Sequence, residues 1–187
     1  MTPKTRVSKE EILSAAVCIV RENGDSALNA RMLAARLGCS TQPIFSNFAS
    51  MQELRLAVAT QAENLYLQFV EHESSSGLYP PYKASGMAYI RFASEEKELF
   101  KLLFMRNRAE ESISDESKLA HLGISLAQSS TGLKEKEASL FHLEIWTFVH
   151  GIAVMIATGY LPLEWDLISA MTTDVYQGLK KRFDSKE

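Results

Sequence analysis

The sequence predicts an all-α chain of about nine helices. Three observations carry that reading. Apolar residues recur at three- and four-residue spacing along most of the 187 residues. No segment alternates apolar and polar residues as a half-buried strand would. Clusters of glycine, proline and serine cut the periodic stretches at helical lengths, as at Asn23-Gly24, Ser74-Ser75-Ser76-Gly77 and Pro80-Pro81.

The first seven residues, with Lys4 and Arg6, read as a solvated tail able to reach a phosphate. Ser8-x-x-Glu11 is a capping box ahead of Ile12, Ala16, Ile19 and Val20 at helical spacing, so a first helix runs to Asn23-Gly24. Asn29 is a good N-cap for a short helix from Ala30 to Leu37, with Leu33 and Leu37 on one face. Gly38 sits where a helix end wants positive φ. Ser40 reads as the N-cap of a third helix, and Pro43 falls in its first turn, where a missing amide breaks no helical bond. Ile44, Phe45 and Phe48 form its apolar face, leaving Thr41, Gln42, Ser46 and Asn47 outward. Ser50-x-x-Glu53 starts a long fourth helix to about Glu73, with Leu54, Val58, Ala62, Leu65 and Phe69 along one face.

Beyond the breakers, helices are expected from Tyr82 to Ser94, Lys97 to Arg106, Ser117 to Ser129, Lys134 to Gly159, and Trp165 or Asp166 to Phe183. Arg106 to Glu116 is charged and reads as a loop. The apolar run from Ile145 to Ile156 is interrupted by Thr147, His150 and Gly151, and reads as too short and too interrupted to cross a membrane. Residues 1-50 are expected to form a three-helix head, and residues 51-187 a helical body.

Hydrophobic content of 46% with 23% charged residues is that of an ordinary globular chain with a real core. No secretory signal opens the chain, so the expected location is cytoplasmic. Cys18 and Cys39 read as plain thiols, neither a disulfide nor a metal pair. A net charge of −3 argues against a wholly basic nucleic-acid binder. The charge is uneven. Residues 1 to 60 balance to +2, leaving −5 for the rest. A mildly basic head on an acidic body suits a protein that offers DNA one end.

Helix, glycine turn, then a short helix with small polar residues outward is the pattern of a helix-turn-helix. Short uncharged side chains suit a helix lying in a major groove against base edges. The same spacing also fits an ordinary helical hairpin. Residues 8 to 54 then resemble the DNA-binding domain of the tetracycline-repressor (TetR) family. The resemblance rests on Ala15-Ala16, Val20 through Gly24, Arg31-Met32-Leu33-Ala34, Gly38-Cys39-Ser40, Phe45-Ser46-Asn47-Phe48 and Leu54. It implies a transcriptional regulator, most simply a repressor, on double-stranded operator DNA. Thr41, Gln42, Ser46 and Asn47 are expected at or near bases, with Arg31, Ser40, Pro43, Phe45 and Met51 around them. The chain departs from the family pattern in three places. Phe45 stands for a tyrosine, Asn47 for a histidine and Met51 for a lysine, which removes one hydroxyl and one charge from the phosphate contacts.

Trp146 through Gly151 resembles the W-x-x-x-H-G signature of one C-terminal subgroup of that family. The resemblance implies a homodimer through the last two helices. Those helices carry wide apolar faces, and Gly151 and Ala153 permit close approach. An internal core helix would show the same faces. The aromatic and methionine residues of the body suit a mostly apolar ligand pocket, and equally a filled core. The set is Tyr89, Phe92, Phe100, Phe104 and Met105, with polar members His121, His142, Trp146 and His150. The family resemblance favours the pocket, and with it a small-molecule effector.

Catalysis finds little support. Gly123-Ile-Ser125-Leu-Ala127 lacks the strand and the second glycine of a nucleophile elbow. His142-Leu-Glu144 lacks the P-C-x-x-C that completes a zinc deaminase. No glycine-rich phosphate loop is present. No cofactor, no metal and no catalytic residue is therefore expected. Two rivals stay open: a helical enzyme or binding protein with an incidental helix-turn-helix, and a regulator governed by a protein partner.

Overall fold

A computed structural model of the chain describes residues 7–105 and 118–185. Among the described residues there are nine α-helices and no strand. They are α1 (Lys9–Asn23), α2 (Ala30–Arg36), α3 (Gln42–Asn47), α4 (Met51–Ser75), α5 (Pro81–Glu95), α6 (Lys97–Phe104), α7 (Lys118–Thr131), α8 (Glu135–Ala157) and α9 (Trp165–Asp184). The tail with Lys4 and Arg6, and the loop expected from Arg106 to Glu116, lie outside the described residues. The chain groups into two compact units. One holds Met1–Leu65 with Glu96–Arg106, the other Tyr66–Glu95 with Asn107–Glu187. The grouping therefore falls away from the expected break at residue 50: most of α4 and all of α6 go with the N-terminal helices.

The first unit is built on end-capping and a small core. Ser8 and Glu11 close the reciprocal capping box of α1, at 3.1 and 2.7 Å. Ile12, Ala16, Ile19 and Val20 are its buried stripe. Asn29 caps α2 by accepting from the Met32 amide at 3.0 Å. The end of α2 is a Schellman motif. The Cys39 amide returns to the Ala34 carbonyl and the Gly38 amide to Ala35, with Gly38 at φ +63°. Any side chain there would be strained, so the turn between α2 and α3 depends on this glycine.

Two details differ from expectation. The N-cap of α3 is Thr41, and its side chain makes no cap bond. Ser40 is therefore one residue too early, because Pro43 sets the first turn. At the start of α4, Ser50 accepts from the Glu53 amide at 3.1 Å, but the Glu53 carboxylate accepts from Ala49, at 2.6 Å, not from Ser50.

Bidentate ion pairs tie the first unit together. Arg36 of α2 grips Glu22 of α1 at 2.6 and 2.7 Å. Arg21 of α1 grips Glu96, which precedes α6. Leu99 and Phe100 of α6 are buried in the same unit, where α6 packs on α1. Fork-to-fork pairing fixes orientation as well as distance.

The second unit is organised by α5 and α8, with α7 and α9 packed on them. Eight residues of α5 are buried, from Tyr82 to Ala93. Its pairing with α8 carries two hydrogen-bonded rungs. Tyr82 Oη lies 3.0 Å from His142 Nδ1, and Tyr89 Oη 2.8 Å from His150 Nδ1. Both residue numbers rise together, so the two helices run parallel. Arg91 of α5 pairs with Glu73, which is buried, and stacks over Trp165 at 4.7 Å. A buried carboxylate left unpaired is costly, so this contact fixes the ends of α4 and α9 on α5.

At 23 residues, α8 is long and apolar enough to cross a membrane. That corrects the expectation of too short a run. The interruptions do not shorten the helix, since Thr147 bonds its own backbone at Leu143. Its buried residues, including Phe141, Ile145, Val149 and Ile152, pack within the second unit.

Gly123 of α7 meets α8 at close quarters. A Cβ there would lie 2.3 Å from His142 Cε1 and 2.4 Å from its Nε2. His142 cannot swing away without losing Tyr82. Gly123→Ala is therefore expected to lower stability in urea by about 1–3 kcal/mol, the usual cost of overpacking, against a helix-propensity gain of about 1 kcal/mol. In the background of His142→Ala the same change should cost nothing. Equal stability of Gly123→Ala and the parent chain contradicts this packing.

Candidate nucleic-acid interface and ligand cavity

α3 shows one buried and one open side. Ile44 and Phe48 are 1% exposed and anchor it. Gln42 and Ser46 are exposed, while Thr41, Pro43 and Asn47 are half-buried. Phe45 is 49% exposed. It does not join Ile44 and Phe48 on the apolar face, as the spacing had implied. In a helix this short only the i, i+4 pair reaches inward, and Phe45 falls on the next column. Arg31 and Ser40 are exposed, and Met51 at the head of α4 is half-buried.

The polar groups on α3 are not all free. Ser46 donates to the Gln42 carbonyl at 2.9 Å, and Asn47 donates to Pro43 at 2.8 Å. Among the described residues the Asn47 side-chain carbonyl and the Ser46 oxygen lone pairs stay available as acceptors. The Gln42 amide has no partner among the described residues, so it keeps both a donor and an acceptor free.

Two supporting residues were not singled out from the sequence. Arg55 of α4 donates to the carbonyls of Asp25 and Leu28 at 2.9 and 2.6 Å, and pairs with the Asp25 carboxylate. It fixes the loop that leads into α2. Lys9 of α1 sits 4.7 Å from the Phe48 ring and 3.7 Å from Glu53. A charge opposite an acceptor-rich loop was the available signal for Arg55, but nothing in the spacing joins residues 25 and 55.

The second unit holds a cavity of about 640 Å³ between α5, α7, α8 and α9. Its apolar walls include Leu78, Leu126, Ile145 and Val149. Its polar side chains include Lys83, Tyr82, Tyr176, Ser130, Thr173 and Gln177. Lys83 Nζ donates to Ser169 and Thr173, each at 2.7 Å, and lies over the Tyr79 ring. Removal from water pushes its pKa down. Ser130 and Tyr176 bond one another at 2.7 Å.

None of the nine residues expected to line a pocket lines this cavity. Tyr89 and His150 bond one another, and Trp146 stacks on His150 at 4.8 Å. Phe92 is buried edge-on to Tyr66 and Phe69, each at 5.4 Å. His142 is held by Tyr82, which does line the cavity. Phe100 and Phe104 pack together in α6, in the first unit, and Met105 is 42% exposed. His121 is exposed. The aromatic set built core and rungs, whereas the cavity took mixed polar and aliphatic residues. Lys83 inside the otherwise uncharged stretch PYKASGMAYI was the signal for it.

A chain holding a helix-turn-helix in one helical unit and a ligand-sized cavity in another has the form of an all-α regulator. A family model described as the tetracyclin repressor-like C-terminal domain matches residues 82–175, half of the chain. The chain belongs to that tetracyclin repressor-like (TetR) family. Solved structures agree on the fold. A TetR-like transcriptional regulator from Rhodococcus sp. RHA1 is 17% identical with a TM-score of 0.66, over 96% of each chain. A TetR family member from Streptomyces coelicolor A3 is 17% identical at 0.64, over 92% of this chain and 98% of that one. A Rhodococcus sp. RHA1 protein of unknown function is 21% identical at 0.69, over 96% of this chain and all of that one. No curated protein matches the chain.

Both rung histidines have pKa values pushed down by burial. Each ring is held neutral, so Nδ1 can accept the tyrosine proton. The unfolded chain binds protons at these rings from about pH 6.5, and the folded chain only lower. Stability is therefore full above that pH and falls as pH drops below it. Urea midpoints from pH 7.5 to 5.5 should show this fall, and it should flatten in His142→Gln/His150→Gln. A parent midpoint that is constant over this window contradicts neutral, accepting imidazoles.

Proposed function

We propose that the protein is a sequence-specific DNA-binding transcriptional repressor, homodimeric and cytoplasmic, released from a palindromic operator by a small-molecule effector. One observation carries the DNA-binding reading. The buried side of α3 is filled by Ile44 and Phe48, while Gln42 keeps an uncommitted amide outward. A bidentate amide suits adenine in a major groove. Thr41, Ser46 and Asn47 flank it, and Arg31, Ser40, Pro43, Phe45 and Met51 approach sugar and phosphate.

The dimer reading draws on exposed apolar side chains of the last two helices. Leu140 and Leu143 of α8 are 45% and 55% exposed, and Leu167 of α9 is 49% exposed. A monomer gains nothing from such a stripe, and a two-fold pairing covers it. The effector acts through α4, one continuous helix shared by both units. It shifts operator affinity only as far as it prefers one head spacing, typically by about 5- to 150-fold. The protein binds and releases and does no chemistry.

Selection of bound sequences from random duplex DNA tests the reading. A palindromic consensus with half-sites roughly one helical turn or a multiple apart is expected. Gln42→Ala should relax the preference at one base pair per half-site without unfolding the chain. An unchanged preference removes Gln42 from the base contacts.

Met51→Lys restores a phosphate contact. It should steepen the dependence of log affinity on log salt by about one ion per subunit. An unaltered slope shows that residue 51 does not face the backbone.

A further inference from the structure

The polar side chains of the cavity differ in what they still have to offer. Tyr82 is engaged with His142. Ser129 donates to Ser125, and Thr172 donates to Ile168. Thr173 donates to the Ser169 carbonyl while accepting from Lys83. Ser130 and Tyr176 satisfy each other. Three lining groups keep free donors: Lys83, Gln177 and the Tyr79 hydroxyl, which has no hydrogen-bond partner among the described residues. Lys83 has three N–H bonds and uses two of them on Ser169 and Thr173. Gln177 has no partner among the described residues, and it lies one helical turn beyond Thr173, on the same column of α9.

Charge narrows the choice. Lys83 is the one charged side chain among the described lining residues, and no Asp or Glu is among them. Its ammonium is held by hydroxyls and an aromatic face, which orient a cation without neutralising it. The remaining walls are aliphatic or aromatic, apart from the Ser129, Ser130, Thr172 and Thr173 hydroxyls already bonded within the protein. A ligand matched to this space has one negative charge, about two acceptor atoms and an apolar body. A dianionic phosphate would leave its second charge unmatched, since a single ammonium is a point charge with one free N–H.

We propose that the cavity binds an organic monocarboxylate, its carboxylate on Lys83 and Gln177 and its apolar body against Leu126, Ile145 and Val149. The inference rests on reading this cavity as the effector site. It adds the chemical class of the effector, which that reading leaves open.

Calorimetric titration of the full chain with three naphthalene probes tests it. They are 2-naphthylacetate, 2-naphthylethanol and 2-naphthylethylammonium, alike in body and different in charge. Naphthylacetate is expected to bind at least about tenfold tighter than the alcohol, the worth of one charge-assisted hydrogen bond, and the ammonium not detectably. Lys83→Met, which keeps the stem and removes the charge, should bring naphthylacetate down to the alcohol. Lys83→Arg, measured alongside, should keep the preference for the anion. Equal affinity for anion and alcohol in the parent chain overturns the proposal, as does binding by none of the three. If the alcohol binds and the anion does not, the proposal is equally overturned. A Lys83-dependent anion that leaves operator affinity unchanged supports the carboxylate site and refutes its regulatory role.

Discussion

One continuous helix, α4, supplies buried side chains to two cores, and the fold depends on its being unbroken. Leu54, Val58 and Ala62 are buried in the first unit. Tyr66, Val70 and Glu73 of the same helix are buried in the second, with Glu73 held by Arg91. Each step of four residues runs about 40° past a full turn, so from Leu54 to Val70 the buried positions wind around the 25-residue helix and do not hold one face. A proline within it would break the hydrogen-bond ladder, and a glycine at a buried position would remove a core side chain and cost about 1 kcal/mol of helix propensity. Arg55 hangs on the same helix, one residue past Leu54, and closes the loop that leads into α2. The helix that feeds both cores thus also sets the entry to the helix-turn-helix.

Much of this was legible in the sequence because it was local. The capping box at Ser8, the N-cap at Asn29 and the turn at Gly38 are short-range hydrogen-bond patterns, and all are present. On α4 the period places Leu54, Val58 and Ala62 correctly, but beyond them Tyr66 and Val70 are buried while Leu65 and Phe69 are only half-buried. Phe45 was read inward because apolar residues default to cores, while six residues of helix present only one inward column. The Ser50 cap was right in its serine and displaced by one in its glutamate, since the carboxylate reached Ala49 instead.

The cavity was not legible, for a physical reason. Aromatic side chains mark where a body buries area, and here they buried it against one another. Tyr66, Phe69, Phe92 and Tyr89 form edge-on contacts, and Trp146 lies flat on His150. The open space fell where small residues and hydroxyls from four helices meet, which no one-dimensional period displays. The histidines fared between these cases. Their helical spacing put them on one side of α8, but their partners, Tyr82 and Tyr89, come from a helix sixty residues away in sequence. Burial without partners would be costly, and among the described residues no buried side-chain nitrogen or oxygen lacks one.

The central claim is that two copies of this chain read one symmetric DNA site with α3. Native mass spectrometry of the full chain with a duplex carrying its selected site measures that directly. Two chains per duplex are expected, and loss of that complex when one half-site is scrambled. One chain per duplex, or a complex indifferent to scrambling, contradicts it.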